Sequence, residues 1–193
     1  MAKKKITNLT TVEIEKELKR VKNNERSRGV LKNTIYVLLI VAAAAVLVAT
    51  LFLPVLQIYG SSMTPTLHDG QLIVSIKDPE LEQGDIIAFY YNNKILVKRV
   101  IANAGDWVNI DKNGIVAVNG KVIEEPYISE NALGECNIDL PYQVPEGGLF
   151  VMGDHRSVSI DSRHSSVGCV TQEQIVGKLV MCVWPLDEIK VLD

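Results

Sequence analysis

Two serines stand side by side in the stretch YGSSMTPTL, residues 59–67. A serine hydroxyl becomes a nucleophile only beside a group that takes its proton, and the carbonyl it attacks needs donors for the developing oxyanion. Histidine is the usual base. His68, His155 and His164 have acidic residues nearby in Asp69, Asp154 and Asp161. Sequence neighbours such as His68 and Asp69, however, do not readily orient each other as a Ser-His-Asp triad requires. A Gly-x-Ser-x-Gly elbow and a Ser-x-x-Lys pair are both absent. That leaves a lysine. Lys98 lies within ILVKRVIA, residues 95–102, and on a strand it would share a face with Leu96 and Val100. An apolar face disfavours the ammonium and lowers its pKa from about 10.4. A lysine brought down to roughly 7–8 can accept a serine proton near neutral pH. The strand by itself favours a blander reading, a lysine that snorkels to water and blocks an exposed edge.

Other chemistry finds little support. Cys136, Cys169 and Cys182 form no Cys-x-x-Cys pair and allow at most one bridge. The histidines match no His-Glu-x-x-His helix, so neither a metal nor an organic cofactor is expected. Residues 1–32 hold ten Lys/Arg against four Asp/Glu, while the remainder is acidic. No basic surface is left over for nucleic acid.

The elements that must position a serine and a lysine follow from hydropathy. Residues 33–68 contain no charged side chain, and within them 35–53 (IYVLLIVAAAAVLVATLFL) is apolar on every face before Pro54. Nineteen residues at about 1.5 Å each span roughly the ~30 Å hydrocarbon core of a bilayer. The alanine run could suit a processing enzyme, but the charged segment before it is long for a cleaved leader, and the apolar run exceeds the usual 7–15 or so residues. An uncleaved signal-anchor is expected. Arg26, Arg28 and Lys32 precede the run and Asp69 is the first charge after it, which puts the N-terminus in the cytoplasm and the rest outside. The organisation expected is a basic segment at 1–33, partly helical with Thr10 or Thr11 as caps, an anchor helix at 34–57 and an outer domain at 58–193. The outer domain reads as antiparallel all-β: short β-branched runs are separated by turn signals such as Asn92-Asn93 and Asn119-Gly120. The one helical turn expected there lies near residues 171–174.

Four stretches behind the anchor together resemble the type I signal peptidases, membrane-tethered Ser/Lys proteases. GSSMTPTL matches the family's Ser-Met-x-Pro-Thr-Leu; GDIIAF at 84–89 matches a structural strand; LVKRVIANAGD at 96–106 matches the box with the general base; GDHRSVSIDSR at 153–163 matches the box ending Ser-x-Asp-Ser-Arg. The resemblance implies that Ser62, which immediately precedes Met63, is the nucleophile and Lys98 the base. It implies that Ser159 hydrogen-bonds the lysine, and that Asp161 and Arg163 form a buried pair shaping the site. With strand geometry it places Ile58, Met63, Leu67, Leu96 and Val97 around shallow pockets for small residues. The oxyanion would be met by the N–H of Ser62.

The family function implied is removal of signal peptides from exported preproteins at the outer face of a bacterial cytoplasmic membrane, near the secretion translocon and without a cofactor. Two alternatives are a self-cleaving repressor-type relative and a non-catalytic scaffold of the pilus-assembly type on the same fold. The chain departs from the family pattern at Gly60, where some relatives carry a serine, and at His155, where Asn is usual. Residues 164–167 (HSSV) also lengthen the turn after Arg163.

Overall fold

The computed structural model describes residues 11–52, 54–77 and 80–192. Helix α1, Thr11–Phe52, is 42 residues long. The proposed cap Thr10 lies outside the described residues. The expected short solvated helix and apolar helix are one continuous element, because no proline or glycine pair interrupts the backbone ladder across residue 33. Its apolar part presents Val37, Leu38, Leu39, Ile40 and Val41 outward all round. Such a surface suits hydrocarbon rather than water and is consistent with a membrane anchor. The helix ends at Phe52 ahead of Pro54, so the last residues of the expected 34–57 span are strand, not helix.

Residues 11–49 form one compact unit and residues 50–192 the other. In the second unit every strand pairing is antiparallel. Its strands are β1 Val55–Gln57, β2 Leu72–Ile76, β3 Ile86–Tyr91, β4 Lys94–Ala102, β5 Trp107–Ile110 and β6 Val116–Val118. There follow β7 Lys121–Val122, β8 Tyr142–Gln143, β9 Gly148–Met152, β10 Val170–Thr171, β11 Ile175–Trp184 and β12 Lys190–Val191. The larger sheet has the order β1-β2-β11-β3-β4-β9-β10 with β12 beside β11, and the smaller the order β7-β6-β5-β8. Turn chemistry sets the hairpins: Asn92 joins β3 to β4 at φ 51° and Asn119 joins β6 to β7 at φ 53°. Asparagine tolerates this left-handed conformation where a branched residue does not. The expected helical turn is a 3-10 turn at Gln172–Gln174, and a second follows at Leu186–Glu188.

Strand β3 shows why the larger sheet is covered on both faces. Ile86 and Ala88 join a cluster with Ile58, Met63, Leu67 and Leu179. Ile87 and Phe89, pointing the other way, join Val100, Val151 and Val170. A strand buried on both sides reads as a continuous apolar run rather than an alternation, which is what IIAF is. A third cluster, around Phe150, Met152 and Val108, joins the two sheets. All three cysteines are free thiols.

Candidate active site

The turn carrying the two serines is built from its buried ends. After β1, Ile58 exchanges backbone hydrogen bonds with the 70–71 segment, its N–H to Gln71 O and its carbonyl from Gly70 N, both at 2.9 Å. The chain then reverses at Gly60, whose φ of +86° is left-handed and whose N–H donates to Asp69 Oδ1 at 2.6 Å. A helical turn follows, closed by Leu67 N–H donating to Met63 O at 2.8 Å. Met63 and Leu67 are 2 % and 0 % exposed. These two side chains pin the turn to the core, leaving Ser62 between the buried Met63 and the exposed Ser61.

Strand β4 brings the lysine. Lys98 is 3 % exposed, so it does not snorkel; its Nζ lies 2.7 Å from Ser62 Oγ, the donor to that oxygen. Burial lowers its pKa from 10.5 to about 8, against the opposing pull of Asp161 and Asp154 and with a smaller lowering from Arg163. Desolvation outweighs these charges because the amine is buried and, among the described residues, forms no ion pair with a carboxylate. Among the described residues no histidine joins Ser62 in a Ser-His-Asp arrangement. The ring of His164 meets Ser166 and Asn137, and that of His155 meets Thr64 and the Ser61 carbonyl.

The 153–163 loop packs behind this pair. Asp161 and Arg163, both fully buried, meet through two 2.8 Å contacts, Nε to Oδ1 and Nη2 to Oδ2. Asp161 Oδ2 also accepts from Gly153 N–H at 2.9 Å. Arg163 in turn donates to the carbonyls of Leu133, Arg156 and Ser159, which ties the loop to the 130s segment. Glycine is required at 153: a Cβ would overlap Ser159 Oγ and lie 2.5 Å from Ser62 O. Ser159 itself departs from expectation. Its Oγ is buried and has no hydrogen-bond partner among the described residues, so the expected bond to Lys98 is absent there.

Sequence reasoning missed a second ion pair next to the lysine. Arg99 donates from Nε to Asp154 Oδ1 at 3.0 Å and from Nη2 to Oδ2 at 2.8 Å, both side chains being buried. Its Nη1 reaches Gly84 O at 2.7 Å, and its guanidinium stacks 3.9 Å from the centre of the Tyr127 ring. A third pair joins Arg156 to Glu125. The available signal was the Lys-Arg doublet: adjacent strand residues point to opposite faces, so both charges of KRV needed a buried answer.

Beside Ser62 lies a groove of about 560 Å³, lined by Ile58, Met63, Leu96 and Val97 together with Gly60 and Lys98. Leu67, expected among the lining residues, belongs to the core beneath it. The groove runs between two strand edges. Among the described residues β1 pairs only with β2, and the 94–98 half of β4 pairs only with β3. The N–H of Ser62 has no acceptor among the described residues.

This geometry can be set beside known proteins. A family model described as "Signal peptidase, peptidase S26" matches residues 31–184. Signal peptidase I of Bacillus licheniformis is 37 % identical over 170 residues, covering 81 % of this chain and 90 % of that protein. Signal peptidase IB of Staphylococcus aureus (strain COL) is 40 % identical over 153 residues, covering 69 % and 78 %. A crystal structure of a signal peptidase I from Enterococcus faecalis V583 superposes with a TM-score of 0.45 at 30 % identity, covering 52 % of this chain and 97 % of that one. With most of its length matched by the family model and by relatives at this identity, the chain belongs to the signal peptidase I family of S26 serine peptidases.

Proposed function

We propose that this serine peptidase, which removes signal peptides from secreted preproteins, works through a dyad of Ser62 and Lys98. The observation that carries the reading is the 2.7 Å contact between a serine hydroxyl and a buried lysine whose pKa is lowered to about 8. Neutral Lys98 takes the Ser62 proton as Oγ attacks the scissile carbonyl. The N–H of Ser62 meets the oxyanion; Gly60 adds no side-chain donor. Collapse breaks the C–N bond, and protonated Lys98 gives its proton to the leaving amine. Lys98 then takes a proton from water, whose oxygen attacks the ester, and returns it to Ser62 Oγ as the acyl C–O bond breaks.

An extended peptide fits between the free edges of β1 and β4, completing both ladders by main-chain hydrogen bonds. The shallow apolar floor of Ile58, Met63, Leu96 and Val97 admits small side chains and rejects large ones on size. Asp161 and Arg163 hold the loop behind the dyad. The charge asymmetry about the anchor supports an N-terminus in the cytoplasm and the β domain on the outer face. Substrates leaving the secretion translocon would reach the site there.

A preprotein-processing assay with the full chain in detergent tests the dyad. Ser62→Ala and Lys98→Ala should each abolish cleavage, whereas Ser61→Ala, whose hydroxyl faces solvent, should be tolerated. Full activity in Ser62→Ala would sink the dyad. An inactive wild type would favour a scaffold.

A further inference from the structure

His155 is the point at which the 153–163 loop reaches back to the serine-bearing turn. Its backbone N–H donates to Ser62 O at 3.1 Å. Its ring Nδ1 lies 2.9 Å from Thr64 Oγ1 and 3.3 Å from Ser61 O. Thr64 Oγ1 already donates to Ser61 O at 2.9 Å. A hydroxyl has one hydrogen and a carbonyl oxygen only accepts. Both ring contacts therefore require the hydrogen on Nδ1, which donates toward Thr64 Oγ1 and Ser61 O. The carbonyl of His155 is itself held by Val158 N–H and Ser159 N–H, at 3.2 and 3.1 Å. The residue thus brackets Ser62 from three sides: the carbonyl of Ser62, the residue before it, and the residue two after it.

We infer that His155 is a positioning residue, whose ring donor sets the register of the serine turn against Lys98. The inference rests on Ser62 being the nucleophile. Met63, Leu67 and Thr66 hold the far part of the turn; the Thr66 hydroxyl donates to Asp154 Oδ2 at 2.5 Å and its carbonyl accepts from Lys190 Nζ at 2.7 Å. Without the His155 ring the Ser61–Thr64 part of the turn can rock, carrying Ser62 Oγ out of line with the amine. A displacement on the order of 1 Å is enough to cost a large factor in rate. The bracket needs a donor at the δ position, not an imidazole. Asparagine carries its Nδ2 the same number of bonds from the backbone, whereas leucine fills similar space without a donor.

Full-length His155→Leu, His155→Asn, Thr64→Val and Ser62→Ala, purified in detergent, are compared with wild type by kcat and KM on a preprotein. His155→Leu should lower kcat about tenfold, the effect of one lost hydrogen bond at its upper range. KM should stay unchanged, since Ile58, Met63, Leu96 and Val97 still line the groove. His155→Asn should stay within about twofold of wild type. Thr64→Val removes the nearer of the ring's two acceptors and should lower kcat in the same direction, and the double variant should be no worse than His155→Leu alone. Equal impairment of the leucine and asparagine variants would overturn the inference by showing that ring packing matters rather than the donor. So would a loss falling on KM, or wild-type kcat in His155→Leu. If His155→Leu does not fold, wild-type kcat in Thr64→Val overturns it from the other side of the bond. An active Ser62→Ala would instead bring down the dyad beneath it; an inactive Ser62→Ala beside an unimpaired His155→Leu would remove only the positioning role.

Discussion

Replacing Lys98 by methionine separates the cost of burying the lysine from its use. In the folded chain Lys98 is 3 % exposed and its pKa falls from 10.5 to about 8, chiefly by desolvation. The unfolded chain keeps the ordinary value. Folding therefore expels a proton wherever the pH lies between the two, and wild-type stability rises with pH across that window. Below about pH 8 both states are charged and the whole cost is present, about 3 kcal/mol at ~1.36 kcal/mol per pKa unit. Methionine has similar length and no charge. Lys98→Met relieves the cost and loses the hydrogen bond to Ser62 Oγ, worth about 1 kcal/mol. The net expectation is a gain of about 2 kcal/mol near pH 6, shrinking to a small deficit as the pH approaches 10.5. For a domain of this size that gain raises Tm by roughly 4–8 °C. Trp107 and Trp184 both lie in the β domain, so tryptophan fluorescence of the detergent-solubilised chain follows its unfolding. In parallel, wild-type kcat/KM should climb about tenfold per pH unit and level off near pH 8, while Lys98→Met stays inactive throughout. A methionine variant less stable than wild type near pH 6, or a wild-type rate flat from about pH 6 to 8, would refute the reasoning.

Two further outcomes follow from the buried polar groups. Asp161→Asn leaves the Arg163 guanidinium buried without its carboxylate, which should cost about 3–5 kcal/mol in the same unfolding measurement. Since Asp161 raises the Lys98 pKa, the fraction that folds should show its acidic limb at lower pH than wild type; an unmoved limb would detach the carboxylate from the lysine. Ser159→Ala removes a buried hydroxyl that has no partner among the described residues, so stability should stay level or rise by up to about 1 kcal/mol. A loss of more than that amount would show that the hydroxyl is bonded in solution.

Tertiary context overrode sequence reading in identifiable places. Leu67 and Met63 look alike in MTPTL and both pack into the same core cluster on one face of the helical turn, yet only Met63, next to Ser62 in the chain, also borders the groove. His155 was an unexplained departure until the loop folded back on Thr64. Nothing local to Arg99 names its partner, because Asp154 lies 55 residues on.

The sequence by itself determined what composition and local spacing can carry. An all-apolar stretch has no face to turn to water, so the apolar part of helix α1 and its fitness for a bilayer follow from that stretch alone, whereas its continuity with the charged part before it does not. Alternation and turn residues likewise specify the β strands and their hairpins, and the four boxes single out Ser62 and Lys98. Only the tertiary structure decided the state of that lysine. The strand pattern favoured an amine reaching water. It became a buried amine 2.7 Å from a hydroxyl because the serine turn, pinned by Met63 and Leu67, closes over β4 from 36 residues away. Desolvation depends on every atom around a charge, and most of those atoms are distant in the chain.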